Sequence, residues 1–128
     1  MARPSNVQYT KTHEWVKIEG DVAIVGITDY AQEQLGDVVL VDMGSPGKQV
    51  EAGKEMGTVE SVKAVSEIFS PVSGDVVEVN KELENRPELV NQDPFGAGWL
   101  VKVKVSRLAE GLMSAEEYEA YVKQEGGH

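Results

Sequence analysis

The sequence predicts a mainly β fold, a sandwich or flattened barrel, with a short helix in its first third and a second helix at its C-terminal end. Three observations support this prediction: short β-branched runs separated by Gly and Pro, two helix-start signals, and an internal repeat. The chain has 128 residues, 41% of them hydrophobic, which suits one core and is too short for two. We therefore expect a single domain over residues 1–128, with a core of about 7–105.

The N-terminal elements follow from local patterns. Two β-prone runs, 14–18 and 22–25, flank a glycine-containing turn and predict a hairpin. Thr28 can cap a short helix that reaches Leu35, and Gly36 stands where such a helix would end. Further strands are predicted at 38–41, 49–50, 57–60, 64–69, 76–79 and 100–105.

The C-terminal helix is predicted from a capping box, in which the side chains of Ser114 and Glu117 each accept a backbone N–H of the other residue. The helix should span about 114–124, ahead of a Gly-Gly pair. One of its faces, which we expect to pack on the sheet, carries Tyr118, Tyr121 and Val122.

An internal repeat divides the chain into two similar halves. The segment Gly36-Asp37-Val38-Val39-Leu40-Val41 recurs 38 residues later as Gly74-Asp75-Val76-Val77-Glu78-Val79. A solenoid normally needs about three or more units, so one pair of copies does not indicate that architecture. The two halves instead predict a pseudo-twofold sandwich.

Charge and cysteine content exclude several classes of function. Acidic residues outnumber basic ones 22 to 12, and the net charge of −10 disfavours nucleic acid and anionic membranes as partners. The absence of cysteine excludes disulfides, thiolate metal sites and a cysteine nucleophile. No apolar run approaches the roughly 20 residues of a membrane helix, and no signal or transit pattern is evident at the N-terminus. We therefore expect a cytoplasmic protein.

No self-sufficient active site is evident in the sequence. His13 and His128 are the only histidines, and without cysteine they cannot form an ordinary zinc site, so no metal is expected. Neither a nucleophile elbow nor a phosphate-binding loop is present. We interpret His13 as a structural or docking residue, and Trp15 and Trp99 as core residues, because each tryptophan lies in a strand-like apolar run.

The candidate for chemistry is Lys63. Two β-prone runs meet around Ser61 to Ala64, which places Lys63 at or beside the tip of a hairpin. A lysine at a tip holds its amine in water, where a modifying enzyme can reach it and an attached group can swing. On this pattern alone, an unmodified surface lysine is the more frequent outcome.

The turn Glu60-Ser61-Val62-Lys63-Ala64, flanked by the two Gly-Asp-Val-Val strands, resembles the lipoyl-attachment hairpin of glycine cleavage H proteins. The resemblance covers about residues 7–121 and includes several further segments in the same order as in that family. These segments are 13–16, 26–32, 35–39, 70–74, 87–91 and 98–100. Independent signatures at matching intervals are far more specific than one short motif.

The resemblance implies a hybrid of two small antiparallel sheets and a function as a lipoyl carrier that catalyses no reaction itself. Lys63 would become N6-lipoyllysine, with Glu60, Ser61, Val62 and Ala64 as the turn that a lipoate ligase or lipoyl/octanoyl transferase recognises. The arm would take an aminomethyl group from the P protein, a pyridoxal-phosphate glycine decarboxylase. It would pass this group to the T protein, a tetrahydrofolate-dependent aminomethyltransferase, and be reoxidised by the L protein, dihydrolipoyl dehydrogenase. We expect a monomer that meets these partners transiently.

The family also implies that the loaded arm folds into a cleft beside the His-Glu-Trp segment, where Thr12, Glu14 and Glu67 are candidate contacts. A protonated aminomethyl group is a cation, so nearby carboxylates would hold it and shield it from hydrolysis. A solvated surface carboxylate explains Glu14 and Glu67 equally well. At Glu67 the family often has a shorter acidic residue, which affects only the details of docking.

Three alternatives remain open at the level of sequence. A biotinyl carrier usually has methionine on both sides of its lysine, whereas this chain has Val62 and Ala64. A relay protein that passes octanoyl or lipoyl groups to other proteins would have the same attachment site. An unmodified β-rich interaction module, in which Lys63 stays bare, is the third.

Overall fold

The computed structural model describes residues 3–126, and His128 lies outside them. It contains nine strands and four helices in this described part of the chain. In chain order they are β1 (Gln8–Tyr9), β2 (Glu14–Glu19), β3 (Val22–Ile27), α1 (Asp29–Leu35), β4 (Val38–Asp42), β5 (Gln49–Val50), β6 (Glu55–Ser61), β7 (Val65–Phe69), β8 (Val72–Val79), α2 (Glu82–Asn85), α3 (Leu89–Gln92), β9 (Val101–Leu108) and α4 (Ala115–Gly126).

The strands form two antiparallel sheets. The larger has six strands in the order β1-β2-β3-β9-β8-β5, and the smaller has three in the order β4-β6-β7. The predicted N-terminal hairpin is β2–β3, with Glu19 opposite Val22 at its turn. The prediction of a mainly β fold made of two antiparallel sheets is confirmed. Within residues 3–126, no helix is both long and apolar enough to cross a membrane.

The two copies of the repeat lie in different sheets and share a local distortion. The first copy forms β4 in the three-stranded sheet, and the second lies within β8 in the six-stranded sheet. The pairing register shifts between Val38 and Leu40 in β4 and between Val76 and Glu78 in β8. These shifts fall at equivalent positions of the repeat, so the same short sequence forms a strand with the same kind of bulge twice.

Apolar side chains from both sheets form one core, and a second cluster lies beneath the C-terminal helix. In this second cluster the rings of Tyr9 and Tyr118 stack at 4.7 Å, and both residues are fully buried. Trp15 is also buried, and its indole N–H donates to the Pro94 carbonyl at 2.9 Å. Trp99 is only half-buried and precedes β9, with the Lys102 ammonium 5.0 Å from the centre of its ring.

Both predicted helix starts have the expected caps. The Thr28 hydroxyl accepts the Ala31 N–H at 3.1 Å at the start of α1. At α4, the Ser114 N–H donates to the Glu117 carboxylate at 2.8 Å, and the Glu117 N–H donates to the Ser114 hydroxyl at 3.2 Å. The short elements β1, α2 and α3, of two to four residues each, were not predicted.

His13 connects the N-terminal segment to α4. One ring nitrogen lies 2.8 Å from the Tyr118 hydroxyl and the other lies 2.8 Å from the Glu125 carboxylate. The Tyr118 hydroxyl also lies 2.7 Å from that of Thr28, and burial raises the pKa of this phenol well above its ordinary value. It therefore stays protonated and can bridge the two side chains. This geometry supports a structural role for His13.

Candidate functional site

Lys63 lies at the tip of the hairpin formed by β6 and β7. The last paired residues of the two strands are Glu60 and Val65, and the Ser61 N–H closes the turn by donating to the Ala64 carbonyl at 2.7 Å. Lys63 is exposed. Its Cε would lie 3.2 Å from a Cβ at Gly36, so the lysine side chain passes over a residue that has no side chain of its own.

Ser61 organises this turn from beneath. Its side chain is buried, and its hydroxyl accepts the N–H groups of Ala64 at 3.1 Å and Lys63 at 3.3 Å. The turn contains no glycine, and none of its residues has a positive φ. The serine hydroxyl accepts the N–H groups that a backbone carbonyl would otherwise accept, as in other turns stabilised by serine. The hairpin therefore presents Lys63 on a well-defined backbone.

A second brace reaches the turn from α3. The Val62 N–H donates to the Asp37 carbonyl at 3.0 Å, which joins the tip to the start of β4. Asn91 holds that start on both sides: its side-chain oxygen accepts the Val38 N–H at 2.9 Å, and its amide nitrogen donates to the Gly36 carbonyl at 2.8 Å. Sequence analysis placed Asn91 in a motif without giving it a role, because its partners are 53 and 55 residues away in sequence.

Glu14 is a buried carboxylate, with 1% of its surface exposed. It accepts hydrogen bonds from the hydroxyls of Thr10, at 2.6 Å, and Thr12, and from the backbone N–H of Phe69 at 3.2 Å. Burial raises the pKa of Glu14, while these three donors oppose the increase. The carboxylate is thus held by neutral donors, and no cation within salt-bridge distance neutralises it among residues 3–126.

Two clefts connect the hairpin tip to Glu14. A cleft of about 290 Å³ is lined by Ala64, Val65 and Thr12, together with residues of α1. A second cleft of about 380 Å³ is lined by Thr12, Glu14 and Phe69, together with the loop that follows β9. Thr12 lines both, so the two clefts are neighbours along β7, and we call them together the groove along β7.

Glu67 lies elsewhere on β7. It is exposed, pairs across the sheet with Thr58 and stands outside the lining of both clefts. The neighbouring carboxyl group of Glu67 is the largest cause of a raised pKa at Glu55. Of the three predicted cleft contacts, the structure brings Thr12 and Glu14 together and leaves Glu67 on the outer face of the sheet.

Comparison with known proteins assigns this arrangement to a family. A family model described as "Glycine cleavage H-protein" matches residues 7–125, which include the tip, its braces and both clefts. The chain belongs to the glycine cleavage H-protein family. Among residues 3–126, no group of three or more acidic or histidine side chains is placed to hold a metal ion. Membership identifies the chain as a lipoyl-carrier component of the glycine cleavage system.

Curated relatives and a solved structure match over nearly the full length. A glycine cleavage system H protein of Bacteroides fragilis is 57% identical over 121 residues, covering 93% of this chain and 96% of the relative. One from Nitratidesulfovibrio vulgaris is 55% identical over 125 residues, covering 98% of each. The crystal structure of an H protein from Mycobacterium marinum superposes with a TM-score of 0.87 at 41% identity, covering 97% of this chain and 99% of that one.

Proposed function

We propose that Lys63 carries lipoate in amide linkage and that the arm delivers the aminomethyl group of glycine from the P protein to the T protein, with reoxidation by the L protein. The observation that carries this proposal is the exposed Lys63 at the tip of a hairpin braced by Ser61 and Asn91, inside the region that matches the family. When attached, lipoate supplies a disulfide that accepts the carbon unit as it is reduced.

The groove along β7 fits an arm attached at Lys63. An extended lipoyl-lysine side chain has about eleven bonds before its ring, which at about 1.5 Å each in a zigzag span roughly 14 Å. The ring and its cargo add a few bonds more. Along β7, at about 3.3 Å per residue, Phe69 lies roughly 20 Å from Lys63. The end of a docked arm would therefore come close to Glu14, which accepts the Phe69 N–H.

Glu14 is suited to holding a cationic cargo. A buried carboxylate without a cationic partner carries a desolvation cost, and an ammonium group in the cleft would offset that cost by direct attraction. Thr10 and Thr12 fix the orientation of the carboxylate before the cargo arrives. The chain's own contribution is thus to bind and orient the cargo and to keep water from it, while the partner enzymes perform the chemistry.

The attachment is tested by mass spectrometry on chain incubated with lipoate, ATP and a lipoate ligase. We expect one lipoyl increment on the peptide that contains Lys63, lost in Lys63→Arg, which keeps the positive charge. Lys81→Arg, at another exposed lysine, serves as the matched control and should be modified fully. An unmodified Lys63 in the presence of an active ligase would sink the proposal.

The role of Glu14 is tested by the loss of the carbon unit from loaded chain in the absence of T protein. Removing one charged contact should speed this loss about tenfold in Glu14→Gln, because hydrogen bonds to charged groups contribute about 1.5 kcal/mol or more. Glu67→Gln, outside both clefts, should leave the rate unchanged. Equal rates in wild type and Glu14→Gln would remove Glu14 from the proposal and leave Lys63 untouched.

The same experiment has an expected pH dependence. Burial raises the pKa of Glu14 in the folded chain. Part of the carboxyl population therefore stays neutral above the ordinary pKa of a glutamate, and the charge is complete only above the raised value. A bound ammonium favours the charged form, so in loaded chain Glu14 should lose its charge at a lower pH than in free chain, and wild type should lose its advantage in retention over Glu14→Gln as the pH falls through that range. A constant ratio of the two rates across this window would show that the charge on Glu14 is not what holds the cargo.

A further inference from the structure

The outer face of the three-stranded sheet exposes aliphatic side chains around Lys63. Val62 is 70% exposed, Val65 64% and Leu40 54%. Leu40, Glu60 and Val65 lie opposite one another on β4, β6 and β7, and Val62 stands just beyond them at the tip. Single exposed aliphatic residues are normal on protein surfaces, but a contiguous group beside a functional residue marks an interaction site.

Carboxylates surround this apolar group. Glu60 stands between Leu40 and Val65, and the next outward-facing row contains Asp42 and Glu67 on either side of Thr58. Within residues 3–126, none of these three carboxylates has a lysine or arginine within salt-bridge distance. Their negative potential is therefore open to a binding partner.

The outer face of the six-stranded sheet is different. There Lys17, Lys102 and Glu78 fall in one row across β2, β9 and β8, and Lys104 pairs with Asp75 in the next. The Lys102 ammonium lies 3.6 Å from the Glu78 carboxylate. That face mixes charges of both signs, whereas the charged residues in the two outward rows of β4, β6 and β7, which are Asp42, Glu60 and Glu67, are all acidic.

The repeat provides an internal reference for Leu40. Its equivalent in the second copy is Glu78, and both occupy the residue that follows the bulge. The fold therefore accepts a charged residue at this position, and a charge would be the better choice for a surface without a partner. The fold therefore does not require a half-exposed leucine at this position, since the second copy forms the same bulged strand with glutamate there.

We propose that this face is the docking surface for the enzyme that attaches the lipoyl group to Lys63. We call it the acidic hairpin face and define it by Leu40, Val62, Val65, Asp42, Glu60 and Glu67. Its occupant is a protein surface with an apolar pocket bordered by lysine and arginine. Complementary charge accelerates encounter with such a surface, and a small apolar centre supplies contact without making release slow. The inference rests on the proposed role of Lys63.

The apolar centre is tested with Leu40→Glu, which gives the first copy the residue that the second copy has. The probe is lipoylation of purified chain by a lipoate ligase, with the concentration of chain varied. We expect the KM for the chain to rise about tenfold, since a contact residue of this kind is worth about 1.4 kcal/mol, with kcat unchanged. Leu108→Glu, at an exposed leucine of the six-stranded sheet, is the matched control and should keep the wild-type KM.

The acidic border is tested by salt. The kcat/KM of wild type should fall as ionic strength rises, because screening weakens attraction between the two surfaces. Asp42→Asn combined with Glu67→Gln should lower kcat/KM at low salt and flatten this dependence, whereas Glu116→Gln with Glu119→Gln on α4 should not. A rate that increases with salt would mean that the partner is acidic and would overturn the proposal.

Failure of this inference differs from failure of the proposed function. If wild type is lipoylated at Lys63 but Leu40→Glu has the wild-type KM, the enzyme reads only the turn, and the acidic hairpin face is not its docking surface. If Leu40→Glu and Leu108→Glu weaken the reaction equally, the effect is general and the inference is equally wrong. Val65→Ser, which adds no charge, provides a second test should Leu40→Glu unfold. If Lys63 itself is never modified, the proposed function fails first.

Discussion

The first copy of the repeat, which begins at Gly36, forms β4 at the edge of the three-stranded sheet. The second copy, which begins at Gly74, lies within β8, between β9 and β5 of the six-stranded sheet. The equivalent amides of the two copies are bound differently. The Val76 N–H donates to a backbone carbonyl, that of Lys48, at 2.9 Å, and the Val38 N–H donates to a side chain, that of Asn91, also at 2.9 Å.

This comparison separates what the repeated sequence determines from what its surroundings determine. Both copies form a strand with a bulge at the fourth residue of the repeat, so local sequence is sufficient for that geometry. Only the first copy is an edge strand whose entry is held by a side chain, and only that entry contacts the lysine-bearing turn, through Asp37 and Val62. This contact ties the start of the first copy to the hairpin that carries Lys63.

The largest expected difference between the copies concerns their first residues. A Cβ at Gly74 would lie inside contact distance of the Lys104 backbone carbonyl, which cannot move without breaking the ladder between β8 and β9. We expect Gly74→Ala to lower the free energy of unfolding by about 3 kcal/mol or more, at the top of the range for overpacking. Urea denaturation measures the free energy of unfolding. A smaller loss in Gly74→Ala than in Gly36→Ala would contradict this ranking of the two copies.

The second prediction concerns the brace that only the first copy has. Asn91→Ala leaves the Val38 N–H and the Gly36 carbonyl without their partner, which should lower the free energy of unfolding by about 2 kcal/mol. It should also reduce kcat for lipoylation, because the turn is positioned through Asp37. Asn91→Asp keeps the acceptor for Val38 and should restore part of both effects. Hydrogen exchange at the Val62 amide distinguishes a loosened turn, with faster exchange, from global destabilisation, in which all amides of β6 and β7 speed up together.

A smaller effect is expected at the start of the first copy. Gly36 has a φ of 81° and a ψ of −155°, a combination that is accessible almost only to glycine. Gly36→Ala should therefore cost about 1–2 kcal/mol from the backbone alone. The new Cβ would meet only the flexible end of Lys63, which can move aside. Lipoylation at a temperature well below the melting transition should accordingly stay at the wild-type rate, and a lost reaction would indicate that the side chain of Lys63 needs its place over Gly36.

The smallest effect is expected at the bulges. Val39 and Val77 occupy equivalent positions, with 47% and 50% of their surfaces exposed, so Val39→Ser and Val77→Ser should each change stability by about 0.5 kcal/mol or less. Thermal melting checks this equality. A difference of more than about 1 kcal/mol between them would mean that the two bulges are not equivalent in energy, whatever their geometry.

Elements with local signals could be predicted from the sequence. The cap at Thr28 and the capping box of Ser114 and Glu117 depend on residues three positions apart, and both form as expected. Helix α4 continues to Gly126, slightly beyond the predicted end near residue 124, because helix termini fray and their boundaries vary by one or two residues. The division of the strands into six and three could not be read from the sequence, because pairing between β3 and β9 joins residues about 80 positions apart.

The candidate site was predictable where it is formed by one continuous segment and not where it is assembled from distant ones. The hairpin tip around Lys63 follows from two adjacent β-prone runs. The role of Asn91 depends on the packing of α3, for which the sequence has no local signal, and the cleft beside Thr12 was expected only through the family resemblance. Glu67 and Glu14 have the same side chain, but Glu67 is exposed and Glu14 is buried. Side-chain type alone does not distinguish a buried carboxylate from an exposed one.

The glycine-free turn closed by the hydroxyl of Ser61 has a mechanical consequence. With Val62 tied to Asp37, the backbone beneath Lys63 has little freedom, so the swing of an attached arm comes from its own single bonds. Such an arm would pivot about a fixed point, and its extended length of roughly 14 Å up to the ring would limit its reach, independently of loop motion. An enzyme that acts on an arm attached here would need its reacting atoms within that reach, so the stiffness of one turn would set a common upper limit on the depth of such active sites.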